Sequence, residues 1–142
     1  MKKPKSSKPK KKSPANLSAC LKIVAVAVHD LKAVDVRILD VRGLTDVTDF
    51  MVIASGTSDR HVRSIAERVL QHSKASGVRP FGVEGARDGE WVLVDLPEVM
   101  VHVMLPRVRE FYGLEELWDR GNNLVSMPVV AKPPPAKRRK PT

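Results

Sequence analysis

The chain has 142 residues, room for one domain, and its 25 Lys and Arg against 16 Asp and Glu give a net charge of +9. Seven Lys fall in residues 1–15 and five Lys or Arg in residues 132–142; with those 12 set aside, 13 basic residues face 16 acidic ones, so the body carries −3. The length excludes multidomain and repeat architectures, the acidic body disfavours a nucleic-acid face built into it, the single Cys excludes an intramolecular disulfide framework, and no apolar run reaches the roughly 18 residues that span a bilayer.

In chain order, residues 1–15 form a Lys-rich tail with nothing to bury, expected to be disordered. Its charges have no apolar segment behind them and are Lys rather than Arg, so no export or organelle signal is read and the expected location is cytoplasmic. A domain over residues 16–122 follows. Asn16 suits an N-cap, and Leu17, Leu21, Val24, Val28 and Leu31 share one helical stripe, with Cys20 expected to be buried and inert. Residues 36–41 predict a strand, and Phe50–Ser55, apolar without alternation, predicts a central strand covered on both faces. Ser58 can cap a helix whose Val62, Ile65, Ala66, Val69 and Leu70 recur at helical spacing, ending near Gly77. Residues 79–83 form a weak strand because Pro80 lacks a donor, residues 84–89 a turn, and Trp91–Leu96 and residues 99–105 a hairpin. Pro106 opens a short final helix that Gly113 interrupts and LEELW resumes. Residues 123–142, ending in a Pro/Lys/Arg-rich run, form a second disordered tail. The order αββαβββα predicts an α/β domain, a mixed β-sheet flanked by helices.

A strand ending in Gly56, Thr57 and Ser58 and opening a helix is a place where backbone N–H groups and the helix dipole could hold a phosphate. A phosphate-handling enzyme related to nucleotidyltransferases is the sharp reading. A tight turn and an N-cap explain the same residues and are preferred, because the pattern matches neither a Walker loop nor GxGxxG and no pair of carboxylates one residue apart stands on the next strand to hold metal ions. Glu67 lies in the helix, and Asp46 and Asp49 lie in a loop where Asp commonly bonds its own backbone. No metal site is expected either. His61 and His72, eleven residues apart on one helix, are separated by roughly 16 Å, and neither His29 nor His102 has a neighbour at ligand spacing, so His102 in its strand reads as a hydrogen-bonded packing residue rather than a ligand.

Aromatic residues are few, yet Trp91, Phe111, Tyr112 and Trp118 gather late in the chain. Phe111 is expected to close the core beneath the last hairpin, whereas Trp91 is as suited to an interface as to the core. The tails admit three readings: solubility, contact with RNA phosphates, or a nuclear signal at residues 137–140, KRRK, this last making the chain a nuclear or nucleic-acid-binding protein.

Five segments together carry a resemblance: TDFMVIASGTSDRHVRSIAERV at 48–69, VEG at 83–85, GEWVLVDL at 89–96, VMVHVM at Val99–Met104 and REFYGLEELW at 109–118. In this order and spacing, over about residues 17–120, the chain resembles the ribosomal silencing factor, or Iojap, family. Pro106, Arg107 and Gly113 depart from the pattern usual in that family. The resemblance implies a nucleotidyltransferase-like fold without catalytic carboxylates, no enzymatic activity and no cofactor. It implies binding to large-subunit ribosomal protein fourteen on the large ribosomal subunit, so that the small subunit is sterically blocked. The expected consequences are repression of translation under nutrient limitation and in stationary phase, and assistance to large-subunit biogenesis. A homodimer of the free protein is implied as well. Carried onto this sequence, the docking residues are the apolar Trp91, Leu96, Met104 and Tyr112 with the acidic Asp95, Glu98, Glu115 and Glu116. Ribosomal RNA is the expected target of the tail residues Lys10, Lys11, Lys12, Arg138, Arg139 and Lys140. No membrane contact is expected.

Overall fold

Strand pairing organises the chain around a six-stranded sheet, and the structure, a computed structural model, describes residues 19–127 of it. The elements in chain order are α1 (Ala19–Asp30), β1 (Val34–Asp40), β2 (Phe50–Ser55), α2 (Asp59–Ala75), β3 (Gly82–Glu84), β4 (Trp91–Leu96), β5 (Val99–Met104), α3 (Pro106–Tyr112), α4 (Leu114–Trp118) and β6 (Leu124–Val125). The sheet order is β3-β4-β5-β2-β1-β6. Among the strands of the described residues only β2 and β5 pair in parallel, with Phe50 opposite Val99 and Ser55 opposite Met104. A parallel pair requires a long connection, and α2, β3 and β4 supply it.

Period-two alternation assigns side chains to two layers. Val92, Val94 and Leu96 of β4, Val99, Val101 and Val103 of β5 and Phe50 and Val52 of β2 join Leu21, Val24 and Val28 of α1 and Val62, Ile65 and Val69 of α2 in the larger core. On the opposite face, Leu39, Val41, Met51, Ile53 and Met104 pack with Val108, and Leu114 and Trp118 of α4 lie against them. All six residues of β2 are buried, as their unbroken apolar run predicts.

Ser58 caps α2, its Oγ accepting from the backbone N–H of His61 at 3.1 Å. Cys20 is buried in α1. Asn16 and Leu17, expected at the start of that helix, lie outside the described residues. Gly113 adopts the left-handed conformation at φ +59°, closing α3 and redirecting the chain into α4, so the single interrupted helix expected from sequence is two helices.

The expected domain boundary at 122 falls short. Leu124 and Val125 pair with Leu39 and Ile38 as a sixth strand, and the Asn123 side chain donates to the carbonyls of Asp40 and Trp118. A two-residue strand after Gly-Asn-Asn has no periodicity to read; the open edge of β1 creates it. Both basic runs lie outside the described residues. Among these residues no helix is long and apolar enough to cross a membrane, and no group of three His, Cys, Asp or Glu side chains is placed to hold a metal ion.

Candidate functional site

At the junction of β4, β5 and α3 three aromatic rings adjoin. Trp91 opens β4 beside Met104 of β5, and its indole meets the Tyr112 ring at 5.0 Å between centroids, tilted by 50°. Tyr112 in turn meets Phe111 edge to face at 5.0 Å. Tyr112 is 56% exposed and Phe111 80%, with Leu117 of α4 exposed as well. Phe111 therefore does not close the core as expected. The inward face of α3 is made by Val108 and Arg109, and Phe111 lies off that face, towards solvent.

The expected docking residues divide. Trp91 and Tyr112 come together. Leu96 and Met104 do not join them, being 1% and 0% exposed. Leu96 is five residues from Trp91, an odd number, so the pleat turns it to the opposite face, where it packs in the core with α1 and α2. Met104 shares the face of Trp91 but is sealed against Val108. Glu115 is engaged within the chain, its carboxylate held by Arg109 at 2.8 and 2.9 Å, whereas Glu116 is exposed on α4. Asp95 shares the strand face of Trp91 and Leu93. Glu98 occupies the β4–β5 turn at φ +72°, its carbonyl accepting from the N–H groups of Asp49 and Phe50. That turn stands at the far end of the hairpin, roughly 16 Å along the strand from Trp91.

His102 is the hydrogen-bonded packing residue that the sequence suggests, and what the sequence does not show is its partner. The Trp91 indole Nε1–H donates to His102 Nδ1 at 3.0 Å. Burial lowers the His102 pKa to about 4, so the ring is neutral and can accept. The diagonal relation between Trp91 and His102 across paired strands is visible only once the register, Leu93 opposite His102, is known.

At the turn of Gly56, Thr57 and Ser58 the first two backbone donors are engaged internally. Gly56 N–H bonds to the Met104 carbonyl at 3.2 Å, Thr57 N–H to His61 Nδ1 at 2.9 Å, and Arg60 N–H to the Asp59 carboxylate at 2.9 Å. His61 Nε2 reaches the Leu31 carbonyl at 2.7 Å, so one imidazole ties this turn to the end of α1. A Cβ at Gly56 would stand 2.8 Å from Val62 N, so a glycine here serves close packing of turn on helix. At the end of β2, the Ser55 hydroxyl accepts from Arg109 Nη1 at 2.9 Å. This arrangement supports the turn-and-cap reading.

Comparison with known proteins finds relatives along most of the chain. Residues 14–142 match the family described as "Ribosomal silencing factor during starvation". The chain is 42% identical over 113 residues to a ribosomal silencing factor from Chromobacterium violaceum, spanning 80% of this chain and 91% of that protein. It is 39% identical over 103 residues to one from Bacillus subtilis, spanning 72% of this chain and 87% of that protein. A Chromobacterium violaceum crystal structure superposes with a TM-score of 0.69 at 39% identity, covering 78% of this chain and 94% of the other.

Proposed function

Since the chain belongs to the ribosomal silencing factor family, we propose that it binds the large ribosomal subunit through ribosomal protein fourteen and sterically prevents the small subunit from joining. Repression of translation when nutrients are short follows from that exclusion, and occupancy of immature large subunits would assist their assembly. The protein is a regulator on this reading and catalyses nothing.

The observation that carries the proposal is the aromatic group on α3 and β4. Trp91, Tyr112 and Phe111 form one contiguous cluster with two members largely in water, and Trp and Tyr are the residues that dominate interface energetics. Glu110 and Glu116 are exposed on the same two helices, and the described residues sum to −3, which complements a basic ribosomal protein. Leu96 and Met104 leave the docking set because they are buried, and Phe111 and Leu117 take their place as apolar contacts. Glu115 acts from within, by holding Arg109. The 12 basic residues of the two terminal runs provide sequence-independent contact with ribosomal RNA phosphates. A homodimer of the free protein would compete with docking if it used the same rings.

The test is subunit joining in vitro. Purified large subunits saturated with the protein are mixed with small subunits and sedimented; the expected result is loss of the joined particle. Normal joining at full occupancy would overturn the proposal.

A further inference from the structure

His102 is a buried polar residue on a face that otherwise needs only apolar volume. Its neighbours in β5 on that face are Met100 and Met104, and across the sheet it stands beside Ile53 of β2 and Leu93 of β4. The imidazole is 6% exposed, and its Nε2 is buried without a hydrogen-bond partner among the described residues. An orphaned donor is destabilising, and a Leu or Met would fill the same space without one. What the imidazole provides in exchange is the bond from Trp91 Nε1 to Nδ1 at 3.0 Å, with the rings 5.9 Å apart at 49°.

Trp91 thus adjoins both His102 and Tyr112. We propose that His102 is a positioning residue for ribosome docking: through Nδ1 it holds the Trp91 ring in the orientation that the basic ribosomal partner receives. The inference rests on the reading of Trp91 as a docking anchor. Its physical content is preorganisation, because a ring already fixed in the free protein loses little rotamer freedom on binding. The arrangement also assigns a tautomer. With Nδ1 accepting, the proton of the neutral ring sits on Nε2.

The native full-length chain supplies the first test. Long-range 1H–15N spectra at pH 7 should show His102 as the Nε2–H tautomer, and an Nδ1–H tautomer would overturn the proposal. Two variants supply the second. His102→Leu removes the acceptor, and His102→Asn retains an acceptor oxygen near the position of Nδ1. In the Leu variant, hydrogen exchange at the Trp91 indole should accelerate about tenfold or more, and binding to purified large subunits should weaken about threefold to tenfold. The Asn variant should recover most of both. Unchanged exchange and affinity in the Leu variant, or equal losses in the two variants, would show that His102 serves packing alone. Trp91→Ala binding as tightly as the native chain would end the docking reading and this role with it, while tautomer and exchange still report separately on the Trp91–His102 bond.

Discussion

Arg109 donates through Nε and Nη2 to the two carboxylate oxygens of Glu115, at 2.8 and 2.9 Å, from a position only 5% exposed. Its third arm reaches Ser55, and Asp35 lies 3.8 Å away, so one guanidinium ties α3 to α4, β2 and β1. The hydrogen bond from Arg109 holds the Glu115 carboxyl below its ordinary value, against burial, which raises it. Removing one partner of a buried pair leaves the other uncompensated, whereas removing both can be nearly neutral. Glu115→Ala should therefore destabilise the fold by about 2 kcal/mol, a figure reduced for the partial exposure of Glu115. Arg109→Met combined with it should recover at least half of the loss. Urea unfolding of the two single variants and the double variant measures this, and strictly additive losses would remove the pair from the account of how α4 is held.

Trp91→Ala should weaken large-subunit binding by about 2 kcal/mol or more, as loss of an interface aromatic does. Phe111→Ala should weaken it by about 1 kcal/mol with little effect on stability, because that ring is mostly in water. Co-sedimentation with purified large subunits, beside a thermal unfolding curve for each variant, distinguishes docking from folding. Undiminished co-migration of a folded Trp91→Ala protein would rule out the anchor.

Stability should fall on acidification in a window that His102 sets. In the unfolded chain the imidazole takes up a proton below about 6.5, whereas in the folded chain burial delays this to about 4. Between those values the unfolded state binds more protons, so stability drops by up to about 1.4 kcal/mol per pH unit on descending; above 6.5 the group contributes nothing. Glu115 acts lower, its contribution being present above 4.5 and lost as pH falls through its depressed folded value. From pH 7 to 5 the native protein should lose about 1 to 2 kcal/mol more than His102→Leu does. Parallel urea midpoints for the two proteins across that range would refute the assignment.

Removing residues 1–15 and 132–142 should lower large-subunit affinity mainly at low salt and flatten the dependence of log K on log salt, since up to 12 cationic side chains are deleted. Binding measured from 50 to 300 mM salt decides it. An identical slope for the full and trimmed chains would leave the tails without a phosphate-contacting role.

Local pattern alone identified the main helices and central strands of the body, though not β6 or the bounds of β3. The apolar run of β2, the spacing of Val62, Ile65 and Val69 in α2, Ser58 as its cap and the β4–β5 hairpin each depend on forces acting within a few residues, and each is found where the sequence puts it. The motifs over residues 48–118 likewise sufficed for the family. Tertiary structure decided which side chains meet. Leu96 looked available beside Trp91 until the pleat turned it into the core, Phe111 looked buried until α3 docked with Val108 and Arg109 inward, and β6 exists because β1 leaves an edge to pair with. The Trp91–His102 bond belongs to the same class: strand register places an indole donor beside an imidazole acceptor eleven residues on, and contact between strands is a property of their packing that no local window contains.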